Sequence, residues 1–518
     1  MLLDFSMSYE NNVPQDDISR TIIDLTERMN LNEYGDFSGR DSHGYDSLSM
    51  LRACLLAFAE RGYASVRELE HMAVVDVRFN HIFQGAHPSF QSFARFIQSL
   101  YKPIEDIFHD MNRLMEEDLS HIPARRIVTE ILTIDGSKWE ANANKYTFVW
   151  KKATQRYYMK LWKKINKMLE SLNRYFKREG IGFRYSILRQ PDISYMIEIL
   201  DRLERYMGNK GIKMVHGKGC RKHELQKIYE EMRNCTVRLA RYTHYFDILG
   251  DRNSFSKTDN DATFMHMKYD YYNHTNVFKP GYNVQYGISS GFIRTVYVSA
   301  DPNDQPTLIP MLEAYRDAYG EYPSSIAADA GYGSFDNYKF CRSNDITAYV
   351  RYGGMHAESK KTNDKNRYQK ARMRQEDGSY RCPQGHGFVK ISERIDKRGQ
   401  YDKVMETWEC TGCSGCPVKS ECTRSKGNRK LSRTPELEEM QADVRERLDT
   451  AVGNELMDYR RSISEGTFGN VKRNYEYDRI RRRGKSAVKA EFYLVAMGVN
   501  LRKYHQILME EKHRKSMN

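Results

Sequence analysis

Three carboxylates and a run of cations hold the chemistry that this sequence can offer. Asp135 closes Arg126–Asp135 (RIVTEILTID), an apolar, β-branched stretch just before Gly136, and Asp329 closes Ser324–Asp329 (SSIAAD) just before Ala330-Gly331-Tyr332-Gly333. Both patterns predict a core strand with an acid at its carboxyl end. Glu465 is the only acid between Arg460 and Arg473, and Arg461, Lys472, Arg479, Arg481, Arg482 and Arg483 stand around it. On a helix Arg461, Glu465 and Lys472 fall at i−4, i and i+7 and share a face. Hard oxygen ligands of this kind suit Mg²⁺, which keeps waters and takes phosphate oxygens beside one or two carboxylates. Two such ions about 4 Å apart support an in-line displacement at phosphorus. Each residue also has a plainer reading: a turn-forming Asp before Gly, or an ion pair on a solvated helix. Spacing alone does not single out this triple among 69 acidic residues.

The elements that must position these groups are legible along the chain. Residues 18–120 read as helical, with Ser65 and Glu68 forming a capping box. The two short patterns in SVRELEHMAVVDVRFNHIFQG suit either a helix-turn-helix reader or a plain bundle. From Lys145 to about Gly250 the pattern is helical again. Lys151–Arg178 carries ten Lys or Arg against one acid, with Trp150, Tyr157, Tyr158 and Trp162 interleaved. Its stripe Leu161, Ile165, Met168, Leu172 and Phe176 predicts a buried side that pairs with Glu224–Tyr245. Its charged side, with Lys160, Lys163 and Lys164, predicts a phosphate-facing surface. Lys279–Ser289 and Phe292–Ala300 predict a hairpin turning at Ser290-Gly291, followed by a helix at Gln305–Tyr319. A helix at Phe335–Ser343 and a strand at Ile346–Tyr352 follow Asp329. A long helix should start near Pro435 and carry Glu465, with Gly466 and Gly469 admitting a closely approaching backbone. Ser486–Leu508 should be a further helix, buried along Val488, Phe492, Val495, Val499 and Leu501. Asp135 and Asp329 would then lie at the carboxyl ends of strands in one mixed sheet, where ligands of α/β folds gather.

Charge narrows the class of partner. The formal net charge is +13, with 36 Tyr and 22 Phe, which makes nucleic acid the leading partner class ahead of an anionic membrane surface. No apolar run approaches a membrane span, and the N-terminus lacks a signal-peptide h-region. A cytoplasmic location is expected, and no membrane partner.

The nine cysteines are unevenly spread, five of them between Cys382 and Cys422. Cys410, Cys413, Cys416 and Cys422 are preceded by Cys382-Pro-Gln-Gly-His386. In a reducing compartment such a set suits a metal better than disulfides. Zn²⁺ bound by four of these six residues is the first reading, an iron–sulfur cluster the second, and unmetallated thiols the third. Spacing does not choose the ligands. Cys54, Cys220, Cys235 and Cys341 read as ordinary buried thiols.

Several co-linear segments, DGSKWEANANKYTFVWKKA at Asp135, SKTDNDATFMHMK, KPGYNVQYGIS, AADAGYGS at Asp329 and EGTFGNVKRN at Glu465, resemble bacterial insertion-sequence transposases of the DDE type. The likeness is to the group numbered 1182, related to the Y-R-E-K transposases, and it extends over nearly the whole chain. It implies an α/β fold with an RNase H-like mixed-sheet catalytic core at 126–518, after an N-terminal helical DNA-binding and dimerisation domain at 1–125. A helical basic insertion at 145–258 and a small Cys-rich insertion at 354–435, metal-binding on the cysteine grouping above, would interrupt the core. It implies that Asp135, Asp329 and Glu465 are catalytic and hold two Mg²⁺ ions, with Mn²⁺ as a substitute. Arg461 matches the signature Arg and Lys472 the signature Lys. The signature Tyr falls on Asp458, with Tyr459 next door, and Ser137 stands where Thr is frequent. Arg473, Arg481, Arg482 and Arg483 would add DNA contacts. The implied partners are terminal inverted repeats and target duplex DNA, bound by a homodimer or larger synaptic complex at the bacterial nucleoid. The implied reaction is metal-dependent hydrolysis at the element ends, then attack of the freed 3′-hydroxyl on target DNA. Two other functions compete: a non-transposing RNase H-like nuclease, which would lack strand transfer from pre-cleaved ends, and a transposase-derived DNA-binding protein, which would lack metal-dependent activity.

Overall fold

Two short parallel strands fix the frame of the molecule. In the computed structural model Ile131, Leu132 and Thr133 pair with Ser325, Ile326 and Ala327, and Ser325–Ala328 pairs in turn with Thr347–Val350. The structure describes residues 12–35, 44–217, 219, 221–267, 277–355, 367–375, 377–469, 471–472, 477 and 479–517. The strands are β1 (Ile131–Glu140), β2 (Phe148–Trp150), β3 (Ser254–Ser256), β4 (Thr263–His266), β5 (Phe278–Ser289), β6 (Phe292–Ser299), β7 (Ser325–Ala328), β8 (Thr347–Val350), β9 (Phe388–Asp396), β10 (Lys403–Cys410) and β11 (Lys430–Arg433). The chain divides into two units, Met1–Trp139 with Asn283–Asn518, and Glu140–Tyr282.

In the first unit the sheet order is β6-β5-β1-β7-β8, with β5 and β6 antiparallel and β1, β7 and β8 parallel. This is a mixed α/β arrangement compatible with an RNase H-like core. The β5–β6 hairpin turns where expected, with Ser290 and Gly291 both at positive φ, as a two-residue hairpin loop requires. Leu132, Ile134, Ile326, Ala328, Ala348 and Val350 are buried against Leu308, Leu312 and Tyr315 of the helix Leu308–Tyr319 and against Met440, Val444 and Leu448. The N-terminal residues form the helices α1 (Ile18–Glu27), α2 (Ser47–Arg61), α3 (Val66–Val75), α4 (Val77–Phe83), α5 (Phe90–Ser99) and α6 (Ile104–Ser120). The Ser65–Glu68 capping box is formed. The last helix, Lys485–Met517, is buried on nearly every side between Ala487 and Leu501 and packs on α2 and β6. Gly498 makes the contact with α2 feasible: a Cβ there would stand 2.5 Å from the backbone carbonyl of Phe58.

Three expectations about elements need correction. β1 begins at Ile131 rather than Arg126, because its parallel partner β7 begins only at Ser325 and offers nothing to pair with earlier. It also runs on to Glu140, so Asp135 lies inside the strand and not at its tip. The helix expected to run unbroken from Pro435 is two helices, Pro435–Leu448 and Ala451–Gly469. Thr450 Oγ1 accepts from the Gly453 amide and starts the second, and Gly453 lets it cross close to the Arg447 carbonyl.

The second unit holds α7 (Lys151–Arg178), α8 (Ile193–Asn209) and α9 (Glu224–Leu249), with β2 paired to β3 and β4 paired to the start of β5. The stripe Leu161, Ile165, Met168, Leu172 and Phe176 is buried against α8 and α9. The contact of α7 with α9 agrees with the expected pairing, and α8, inside the stretch read as helical but not singled out, packs on α9 as well. Among the described residues no helix is long and apolar enough to cross a membrane.

Candidate active site

Register brings the first two carboxylates together. Thr133 on β1 stands opposite Ala327 on β7. Two residues further along each chain are Asp135 and Asp329, on the same side of adjacent parallel strands because strand side chains alternate with period two. Asp329 sits just past the end of β7, where its Oδ1 accepts from the Gly331 amide at 2.7 Å and caps the turn Ala330–Tyr332. Its other oxygen, Oδ2, lies 3.7 Å from Arg460 Nη2.

One guanidinium spans both acids. Arg460, on the helix Ala451–Gly469, places Nη2 at 2.7 Å from Asp135 Oδ1 and 3.7 Å from Asp329 Oδ2. Its side chain is only 13% exposed, against 45% for Asp329, so the arginine forms the floor of a site that stays open on the Asp329 side. Arg460 Nε is buried and, among the described residues, has no hydrogen-bond partner.

A second anchor lies beyond Glu465. Lys472 donates from Nζ to Ser137 Oγ at 2.5 Å and to the Lys138 carbonyl at 2.9 Å, and its ammonium lies 4.4 Å from the centre of the Trp139 ring. Trp139 in turn packs against Tyr477 and Phe492. The segment carrying Glu465 is therefore tied to β1 on both sides, at Asp135 through Arg460 and at Ser137–Trp139 through Lys472. Glu465 lies on the Ala451–Gly469 helix; its side chain is outside the described residues, as is all of Arg473. Lys472 lies past Gly469, the last residue of that helix; with Asn470 and the Glu465 side chain outside the described residues, the face expected to unite Arg461, Glu465 and Lys472 lies outside them too. No described atom lies within 4 Å of where a Cβ would stand on Gly466 or Gly469, and the close backbone approach expected there is not seen among the described residues.

Arg461 is 57% exposed and pairs with Asp458 at 3.2 Å, while its neighbour Arg460 reaches the aspartates. Arg481 and Arg483 are exposed, and Arg482 lies close to Glu491. Glu491 is buried and accepts from the amides of Arg481 and Arg482, both at 3.0 Å, and from the Tyr477 hydroxyl. One carboxylate thus shapes the arginine-rich turn. Burial raises its pKa, against the lowering effect of those donors. Lys160, Lys163 and Lys164 are exposed on α7, in the second unit, with Lys164 paired to Glu231 at 2.5 Å.

The structure adds residues that the sequence reading missed. Asp304 lies beside Asp329: a Cβ on Gly331 would stand 2.9 Å from Asp329 Oδ1 and 3.1 Å from Asp304 Oδ2. Asp304 Oδ1 accepts from Asn283 Nδ2 at 2.7 Å and Gln285 Nε2 at 3.1 Å, and Gln285 Oε1 accepts from the Tyr332 hydroxyl. Burial, then Asp304, Asp135 and Asp329, raise the Tyr332 pKa well above the ordinary phenol range, with Arg460 opposing. Tyr332 is therefore a neutral donor. Gly136 leaves room for Gln285, whose amide would lie 2.2 Å from a Cβ there. Asn and Gln at alternate positions of a strand buried on both faces were the available signal, since such groups need partners.

The cysteine-bearing segment forms its own small sheet, β11-β10-β9. Cys382, Cys410, Cys413, Cys416 and Cys422 line one enclosed space in it, whereas His386 is exposed. Cys54, Cys235 and Cys341 are buried as expected, and Cys220 lies outside the described residues. Among the described residues no three His, Cys, Asp or Glu groups already stand at metal-ligand spacing.

A family model described as a transposase DDE domain matches residues 381–505. The match takes in the cysteine module, Arg460, Glu465 and Lys472, and supports a DDE transposase. No curated protein and no solved structure matches the chain.

Proposed function

We propose that this chain is a DDE transposase of the group numbered 1182, allied to the Y-R-E-K transposases. It binds terminal inverted repeats, cleaves DNA at the element ends by metal-dependent phosphodiester hydrolysis, and joins the 3′-hydroxyl to target DNA. The observation that carries this reading is the convergence of Asp135 and Asp329 on one guanidinium, borne by the same helix as Glu465 and five residues before it. The helical unit and the cysteine module are, in this reading, insertions in an RNase H-like core. A homodimer or larger synaptic complex would bring two ends together at the nucleoid.

The donor set fits divalent magnesium or manganese. Asp135 and Asp329 offer hard carboxylate oxygens at a partly open site, with Glu465 as the third ligand. When bound, such cations supply the charge that activates water or a 3′-hydroxyl and steadies the leaving oxygen. The chain's own groups do the rest. Arg460 holds the two aspartates level. Arg461, exposed one residue on, presents a fork to the flanking phosphate, and Lys472 acts as a point charge over Trp139. The Tyr332–Gln285–Asp304 chain keeps the Asp329 turn in place. Arg473 and the arginines 481–483 add DNA contacts, and the lysines of α7 supply a second phosphate-facing surface.

Asp329→Asn tests the assignment. It should leave end binding in a band-shift assay largely intact and abolish Mg²⁺-dependent nicking; robust cleavage by the variant would count decisively against it. Strand transfer from pre-cleaved ends then separates a transposase from a simple nuclease.

A further inference from the structure

The cysteine module is not used by any step above, and it is poorly built to stand without help. Its buried core consists of Met373, Tyr380, Phe388, Cys410, Cys413 and Leu431, with Tyr368, Cys382, Trp408 and Cys422 packed against it. Of β9 only the terminal residues Phe388 and Asp396 are buried. So small an apolar core falls short of what an independent fold needs, and small modules of this kind are usually stapled by disulfides or a metal. The cysteines of the module are free.

Two turns bring the thiols together. Cys382 opens a tight turn in which its amide donates to the His386 carbonyl and the Gly385 amide donates back to the Cys382 carbonyl, both at 2.8 Å. Cys410 ends β10, and the next turn leads to Cys413. The turns are locked face to face: the Thr411 amide donates to the Gly387 carbonyl at 3.1 Å, and the His386 ring fills the place where a Cβ on Gly412 would stand. Arg429 joins the remaining thiol to them. Its amide donates to Cys413 Sγ at 3.4 Å, and its Nη1 donates to Cys422 Sγ at 2.9 Å and to the Cys422 carbonyl at 2.8 Å. N–H donors aimed at sulfur are what a thiolate ligand needs around it.

The five thiols line one small cavity of about 10 Å³, closed on its other sides by Tyr368, Val418 and Arg429 among others.

We propose that this module binds one Zn²⁺ ion through Cys382, Cys410, Cys413 and Cys422. Each thiol loses its proton as its sulfur–zinc bond forms, so four protons are released and the site carries a net charge of −2, partly offset by Arg429. In the structure no three of these sulfurs stand at ligand spacing, so binding requires the side chains to rotate within the turns. Cys416 lines the space but stands outside the packed core, and His386 faces solvent; neither is a ligand.

The test uses the full chain and reads metal, not DNA cleavage, so its outcome is separate from that of the transposase reading. Elemental analysis should find one zinc per chain, without iron or sulfide. The cobalt(II)-exchanged protein should show the thiolate charge-transfer band and intense visible bands of a tetrahedral thiolate site. Cys416→Ser and His386→Ala should keep one equivalent of zinc, whereas Cys413→Ser and Cys422→Ser should lose it. Asp329→Asn should load zinc like the parent. Absence of stoichiometric zinc, stoichiometric iron with sulfide, or loss of zinc in Cys416→Ser with retention in Cys422→Ser would each overturn the proposal. If the serine variants fail to fold, the cobalt spectrum of the parent chain decides alone: no thiolate band, no site.

Discussion

Arg460 and Asp135, 325 residues apart in sequence, are joined at 2.7 Å through Nη2 and Oδ1, and the same nitrogen lies 3.7 Å from Asp329. One Nη2 thus meets both carboxylates, and the delocalised, always charged guanidinium behind it differs from the compact point charge of a lysine. Arg460→Ala should therefore slow Mg²⁺-dependent nicking by about 10²–10³-fold, the cost of removing one positioned charge-stabilising donor. Arg460→Lys should recover only a small part, and Arg461→Ala should cost about tenfold or less. Parallel single-turnover nicking and band-shift assays read this. A severe Arg461 defect beside a mild Arg460 defect would show that the guanidinium between the aspartates is structural.

In the proposed function Glu491 acts on DNA binding from inside the protein, through the arginine turn that it shapes. Removing it by Glu491→Ala strands two backbone amides and the Tyr477 hydroxyl, at a cost of about 1–3 kcal/mol each where no water replaces them. The expected result is a lower melting temperature and a shallower salt dependence of DNA affinity, as the arginine turn loses its shape. Glu491→Gln keeps two acceptor lone pairs and should recover much of the stability. An unchanged salt slope in a folded Ala variant would mean that the turn does not touch DNA.

Two glycines should respond in opposite directions to alanine. At Gly498 the added Cβ meets the Phe58 backbone, which has no flexible end to yield, so Gly498→Ala should destabilise by about 1–3 kcal/mol. At Gly466, inside a helix with no described neighbour within 4 Å, alanine should stabilise by roughly 0.5–1 kcal/mol. Urea denaturation of both variants checks the pair.

His109 should make the fold sensitive to mild acid. Burial lowers its pKa from 6.5 to about 3, against a smaller raising effect of Glu105, and its Nδ1 lies 3.1 Å from the Tyr319 hydroxyl. The unfolded chain takes up a proton near pH 6.5 that the folded chain refuses, so this contribution is complete above that pH and is lost as pH falls from 6.5 toward 3. Between pH 6.5 and 5 the loss is about 2 kcal/mol. His109→Gln should flatten the fall of the urea midpoint in that window; an unchanged slope would assign the acid sensitivity elsewhere.

The sequence alone determined the periodic elements: the amphipathic helices with the α7 stripe, the hairpin at Ser290-Gly291, the strand before Asp329, and the grouping of the thiols. Those follow from local alternation of apolar and polar residues, from turn chemistry and from spacing. Only the tertiary structure decided where β1 starts, that Asp135 stands level with Asp329, that Arg460 rather than Arg461 reaches both, and that Asn283, Gln285, Asp304 and Tyr332 support them. Strand pairing and side-chain reach are set by partners hundreds of residues away. Two adjacent arginines on a helix are alike in composition, but they point about 100° apart, and only the packed sheet says which of the two faces the acids.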